Sequence, residues 1–313
     1  MEHFWILLIA SLVAINCSLV GSYLVLRKVT MMSDAITHAV LPGIVLGFLI
    51  TGSKDSLTIL VGASSTGILA SMLMSFLHTK VKLQSDAAIG ITFTWLFALG
   101  IILVSLYGRK VDLDPDCVLY GEIAYVPLHL LRTHSGLSIG PQALYTLSIV
   151  FVTNLLFIIK SYKELLVTTF DAEFAEVVGI PTTLWHYTLL AITSFTSVAA
   201  FEVVGAILVV ALFVLPASIA YLFATRVSYM LLLGAVISIV IAVAGYFFAV
   251  LLNGSIAGAM ATVGGMLFFV CWIIHQCWIH RFHTLCMKKV RCIFEPLRRE
   301  PSSKAVRVNN IEL

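Results

Sequence analysis

Runs of about twenty uncharged, mostly apolar residues recur along almost the whole chain, and nothing else in the sequence limits the fold so tightly. A helix rises 1.5 Å per residue, so about 20 residues cross a hydrocarbon layer of about 30 Å. Windows of that length fall near residues 4–26, 30–50, 56–77, 87–107, 142–160, 184–202, 205–224, 230–252 and 257–279. The two windows that meet near residue 202 are together too long for one crossing, so the short break FEVVG must hold a turn. The expected fold class is all-α: a polytopic membrane helix bundle of about nine transmembrane helices, eight to ten at the limits. Composition agrees, since 60% of the 313 residues are hydrophobic and only 11% are charged, against about 25% charged in a soluble domain.

The start of the chain does not read as a cleavable signal. Met1-Glu2-His3 lacks a basic segment, and the apolar run from Phe4 to Leu26 exceeds the roughly 7–15 residues of a signal core. It reads as a retained span. In a nine-span topology Arg27, Lys28, Lys80, Lys82, Lys160, Lys163, Arg226 and the run from Arg281 to Arg307 all fall on one side. Cytoplasmic loops carry that excess, which places the N-terminus outside and the C-terminus in the cytoplasm. Arg109, Lys110 and Arg132 are exceptions in an outward loop, 108–141, that also holds Asp112, Asp114, Asp116 and Glu122. The expected organisation is a transmembrane domain over 1–279, with this outer loop and an inner loop over 161–183, then a basic tail over 280–313 that is partly disordered. The membrane is the expected surface partner, and no nucleic acid is expected. The six cysteines show neither disulfide-scaffold nor zinc-ribbon spacing.

Both long loops carry pattern. VLYGEIAYVPL in the outer loop suggests a helix lying near the membrane surface. In the inner loop, FDAEFAEVVGIP sets Phe170, Phe174 and Val177/Val178 at helical spacing, with Gly179 as a stop and Pro181 beyond it. That predicts a short amphipathic helix outside the bilayer.

The residues that carry chemistry lie in SDAITHAVLP, residues 33–42. Asp34 and His38 are four apart, so on a helix they differ by about 40° and share a face. An aspartate at the centre of a span costs roughly 2.5–3.5 kcal/mol on insertion scales, so such groups face a cavity or a partner. Near a span end the cost falls, and the alternative is Ser33 or Asp34 as an N-cap with His38 at the interface. Three neighbours favour a site. Pro42 has no N–H, which leaves the His38 carbonyl without its usual partner, and Gly43 and Gly47 form a small-xxx-small pattern that lets another helix approach. Carboxylate and imidazole together suit manganese, iron or zinc. One such pair is too few for a closed site; a two-fold partner would bring the ligands to four. His38 must be neutral to ligate, so acid should weaken binding.

SDAITHAVLPGIVLGFL, AAIGITF at 87–93, FDAEFAEVVGIP followed by WHY, and VGAILVVALFVLPASIA at 204–220 resemble one family in the right order over residues 5–275. It is the permease subunit of ATP-binding-cassette importers for manganese, zinc or iron. The resemblance implies that Asp34 and His38 line the translocation path and bind the transported divalent metal. It also implies a coupling helix, here Phe170, Asp171, Glu173, Phe174 and Gly179, that docks into a separate ATPase subunit. Further implied partners are a second permease, identical or not, and an extracytoplasmic metal-binding protein. The implied location is the inner membrane. ATP would be bound by the partner, since this chain holds no phosphate loop of the G-x-x-x-x-G-K-[ST] type. The chain is therefore expected to be a transport subunit and not an enzyme, with no permanently bound cofactor.

Glu202 sits in the expected turn, either as an outward metal attractant or as a wetted turn residue. His275, Cys277, His280, His283 and Cys286 cluster in the tail, but their spacing suits a basic interfacial helix better than a metal site. An intramembrane metalloprotease would need an H-E-x-x-H helix, which is absent. The remaining alternative is a secondary metal-ion transporter, which would usually bury several acidic residues and show inverted repeats.

Overall fold

The structure, a computed structural model, describes residues 2–51, 56–107, 123, 130–132 and 138–294. Its helices are α1 (Glu2–Leu26), α2 (Met31–Ala39), α3 (Leu41–Thr51), α4 (Ser56–Thr79) and α5 (Ser85–Tyr107), then α6 (Gln142–Lys160), α7 (Tyr162–Phe170) and α8 (Ala172–Val177). They continue with α9 (Thr182–Val204), α10 (Ala206–Phe223), α11 (Val227–Leu252) and α12 (Ile256–Phe294). Nine stretches among the described residues are long and apolar enough to cross a membrane, and α2 with α3 make up the second. Between α5 and α6 a small antiparallel ribbon pairs β1 (Leu130–Arg132) with β2 (Ser138–Pro141). The helix expected around residues 118–128 lies outside the described residues apart from Ile123, and the tail beyond Phe294 lies wholly outside them. Residues 1–269 form one compact unit; the described part of the second, 270–313, is helical.

Lipid tails are as apolar as leucine, so burial of greasy surface does not by itself pull these helices together; close packing and interhelical hydrogen bonds do. Helix α1 is the hub, packing against α6, α9, α10 and α11. Ile9, Val13, Cys17 and Leu24 on it are fully buried. Between α9 and α10 there is no loop at all. Gly205 alone separates them with φ +78° and ψ 166°, a region essentially confined to glycine that costs another L-residue roughly 1–3 kcal/mol. The turn required inside FEVVG is therefore a single glycine.

A buried amide network joins three spans. Asn154 on α6 donates to Asn16 Oδ1 on α1 at 3.1 Å and to Thr196 Oγ1 on α9 at 2.9 Å. Asn16 in turn donates to the Leu12 carbonyl at 2.9 Å. Both asparagines are completely buried. Interhelical hydrogen bonds inside membranes average about 0.6 kcal/mol and reach about 1.7. Asn154→Leu removes its hydrogen bonds to Asn16 and Thr196, the 3.2 Å one that Thr196 Oγ1 donates to Asn154 Oδ1 included, and strands the Asn16 carbonyl oxygen, so it should destabilise the bundle by about 1–2 kcal/mol. Thermal melting of the purified chain in detergent reads this, and an unchanged midpoint would show that the network contributes nothing.

The connection between α6 and α9 holds one more helix than its sequence pattern suggests. After α6, Ser161 interrupts the helix for one residue and α7 follows directly. Arg27, just past the end of α1, then clamps α7. Its Nε donates to Thr169 Oγ1 at 3.0 Å and its Nη2 to Thr168 Oγ1 at 2.8 Å. Partial burial holds the Arg27 guanidinium below its ordinary pKa, partly offset by Tyr23.

Candidate functional site

Helix α2 is only nine residues long, and its inward side is densely packed. Met32, Ser33, Ala35, Ile36, Thr37 and Ala39 are buried, and Met32, Ala35 and Ala39 share a cluster with Ala70 and Met74 of α4, Leu96 of α5 and Leu190 of α9. Thr37 Oγ1 donates to the Ser33 carbonyl at 2.7 Å and shares a 2.8 Å hydrogen bond with Ser197 of α9. Those contacts fix the rotation of the helix, which leaves Asp34 and His38 side by side on the less buried face.

There His38 Nε2 stands 3.4 Å from Asp34 Oδ1, with side-chain exposures of 28% and 45% respectively. Both groups are half-buried, neither sealed in the core nor fully wetted. The imidazole faces two rings of α5, Phe93 with centroids 5.4 Å away and Phe97 at 6.4 Å. They form an apolar wall that limits how the ring can swing. Two ligand atoms 3.4 Å apart can both reach a single ion at about 2.1 Å, and they then subtend roughly 108° at it, close to the tetrahedral angle. The spacing is therefore compatible with one shared ion. Among the described residues no group of three or more His, Cys, Asp and Glu side chains could hold an ion, so within them the pair stands as a two-ligand fragment of a shell.

Just beyond the pair the helix is interrupted. Helix α2 ends at Ala39, Val40 forms a turn, and α3 begins at Leu41. Gly43 N and Ile44 N both reach back to the Val40 carbonyl, at 2.9 and 3.1 Å, while Pro42 supplies no donor. Pro42 and Leu41 pack against Gly100 of α5, where an added Cβ would lie 3.0 Å from each. Gly43 meets α4 backbone to backbone: a Cβ on it would lie 2.5 Å from the Gly62 carbonyl oxygen and collide with Thr66 Oγ1. Gly47 lies on the same seam, its Cα 3.2 Å from where a Cβ on Gly62 would stand.

Glu202 lies on the last turn of α9, exposed, two residues before the helix gives way to Gly205. The inner-loop residues fall where their pattern put them, around α8. Asp171 caps that helix, accepting from Phe174 N at 2.9 Å. Phe170, Phe174, Val177 and Val178 are 65%, 56%, 85% and 58% exposed, and Glu173 is exposed beside them. Gly179 closes the helix at φ +88°, and Ile180 N returns to the Ala175 carbonyl at 2.9 Å. Glu176 accepts from Thr182 Oγ1 at 2.6 Å, which ties α8 to the start of α9. Sequence reasoning had missed the Arg27 clamp, the Phe93/Phe97 wall and the Ser197 contact. The first had a signal, an arginine within one residue of a span end, but its threonine partners lie about 140 residues away.

A multi-pass bundle with a half-buried carboxylate–imidazole pair on a broken span, and an amphipathic helix displayed outside it, fits a membrane transport subunit. The chain belongs to the ABC 3 transport family, whose model matches residues 3–275. It is 48% identical over 262 residues to the manganese transport system membrane protein MntD of Bacillus subtilis (strain 168), covering 84% of this chain and 88% of that one. It is 40% identical over 268 residues to the zinc transport system membrane protein TroD of Treponema pallidum (strain Nichols), covering 86% and 72%. Among solved structures it is similar to PsaBC from Streptococcus pneumoniae in complex with Fab, with a TM-score of 0.71, 30% identity, and coverage of 86% and 90%.

Proposed function

We propose that this permease carries a divalent transition metal inward across the cytoplasmic membrane, with Asp34 and His38 as its transient ligands in the path. The observation that carries the reading is the 3.4 Å separation of Asp34 Oδ1 and His38 Nε2, which suits one ion at about 2.1 Å from each. Two ligands from one chain leave the ion incompletely held, and transport needs binding weak enough to release. A second permease supplies the matching pair, an extracytoplasmic binding protein delivers the ion, and a separate ATPase subunit drives the cycle.

Manganese is the favoured cargo on the identity to the manganese relative, and zinc is the competitor on the second relative. The path for coupling runs through α8. Its motion passes to α9 through Glu176 and Thr182, and α9 touches the metal-bearing α2 at Ser197 and Thr37. Ionic radius does not distinguish these cargoes well at a two-ligand site, so the test must be transport itself. Proteoliposomes holding the chain with its co-purified ATPase, supplied with the metal-binding protein, should take up radiolabelled manganese only when ATP is supplied; zinc, which binds such N/O pairs more tightly, should compete for the site. Uptake driven by a proton gradient without ATP would establish a secondary transporter instead.

A further inference from the structure

The end of the bundle that carries Arg27 also carries a lateral groove unconnected with the metal pair. It measures about 850 Å³ and runs between α1, α6, α7 and α11. Its walls are apolar, with Leu19, Phe151, Ile158 and Leu231 among them, and Lys160 and Lys163 stand in its lining. A second hollow of about 550 Å³ adjoins it, lined by Thr225, Arg226 and Ser228; Ser228 and Leu232 line both. Lys160 is the last residue of one span and Arg226 caps the start of another, so the three cations lie at the depth where lipid headgroups sit. Glu164 also lines the groove, and its buried Oε2 has no hydrogen-bond partner among the described residues.

We propose that this groove binds one phospholipid with an anionic, hydroxyl-bearing headgroup, phosphatidylglycerol being the chemistry that fits. An acyl chain follows the apolar wall, the phosphate lies among Lys160, Lys163 and Arg226, and a headgroup hydroxyl donates to Glu164 Oε2. Charge decides the occupant. A tail gains little by leaving bulk lipid for an apolar protein wall, so selectivity comes from the basic residues, while basic pockets between spans suit anionic headgroups. Nothing in this assignment depends on the metal reading.

Native mass spectrometry of the delipidated full-length chain, titrated with dioleoyl phosphatidylglycerol, phosphatidylcholine or phosphatidate, tests it. One phosphatidylglycerol should be retained per chain in preference to phosphatidylcholine. Lys160→Gln with Lys163→Gln should weaken that by about 25-fold, about fivefold for each lysine. Both lysines are exposed, so the double variant should melt as the parent does. Ala235→Phe, which fills the groove without changing charge, should expel the lipid as well. Glu164→Ala should weaken phosphatidylglycerol but not phosphatidate, which lacks the hydroxyls. Equal retention of phosphatidylglycerol and phosphatidylcholine, or indifference to the lysine substitutions, would overturn the proposal. An equal effect of Glu164→Ala on the two anionic lipids would overturn the headgroup assignment. Disulfide cross-linking between copies bearing Leu232→Cys would show that the groove seats a second permease, and would overturn the lipid site altogether.

Discussion

Replacing Asp34 with alanine should reduce metal uptake by on the order of 100-fold or more while the chain folds at least as well as before. The first half follows from ligand number. Residues that merely orient metal ligands contribute about 10–100-fold to affinity, and Asp34 is one of two candidate ligands and the only anionic one in the pair. The second half follows from membrane physics. A carboxylate within a span carries an insertion penalty of up to roughly 2.5–3.5 kcal/mol, and with 45% of its side chain exposed Asp34 returns little packing to offset it. Asp34→Ala should therefore melt no lower than the parent, and Asp34→Asn, which keeps the oxygen but not the charge, should transport at an intermediate rate or not at all. His38→Ala should also lose uptake, and it should leave a gap beside Phe93 and Phe97. Radiolabelled manganese uptake and thermal melting, measured on the same preparations, separate the two halves. Full uptake in the alanine variant would remove Asp34 from the path, and loss of uptake with a collapsed melting point would show a structural carboxylate instead.

The spans were legible because each obeys one local rule. The apolar windows at 142–160 and 230–252 match helices at Gln142–Lys160 and Val227–Leu252 because a run of about twenty apolar residues has few other places to go. The juxtaposition of Asp34 and His38 was legible for the same reason, since four residues of helix fix it. What surrounds the pair was not. Phe93 and Phe97 reach His38, and Ser197 reaches the neighbouring Thr37, from positions 55 to 160 residues away along the chain, and no local period encodes that distance. Helix α7 was hidden for another reason. KSYKELLVTTF mixes charged, β-branched and aromatic residues and carries no clear stripe; it is held as a helix in part by Arg27, which grips Thr168 and Thr169 from α1. Tertiary contact overrides weak propensity there.

Phe174→Asp should separate the permease from its ATPase without unfolding it. Phe170, Phe174, Val177 and Val178 form an exposed apolar patch on and beside one short helix outside the spans, where the chain's own core does not reward them. A patch of that kind marks an interaction site, and aromatic residues dominate interface energies at 2 kcal/mol or more each. Putting a carboxylate at Phe174 would bury an unpaired charge at the contact, so partner affinity should fall about 100-fold or more. Asp171→Ala and Gly179→Ala probe the same contact through shape. The first removes the cap on Phe174 N, worth about 0.5–2 kcal/mol, and the second forces a Cβ into φ +88° at roughly 1–2 kcal/mol. Each should loosen α8 and reduce ATPase capture less than Phe174→Asp does, in proportion to how far the helix frays. A pull-down of the ATPase subunit by the tagged permease, with melting of the permease alone as the control, orders the three. If Phe174→Asp captures as much ATPase as the parent, the patch serves another partner and the proposed link from α8 through Glu176 and Thr182 to α2 loses its driver.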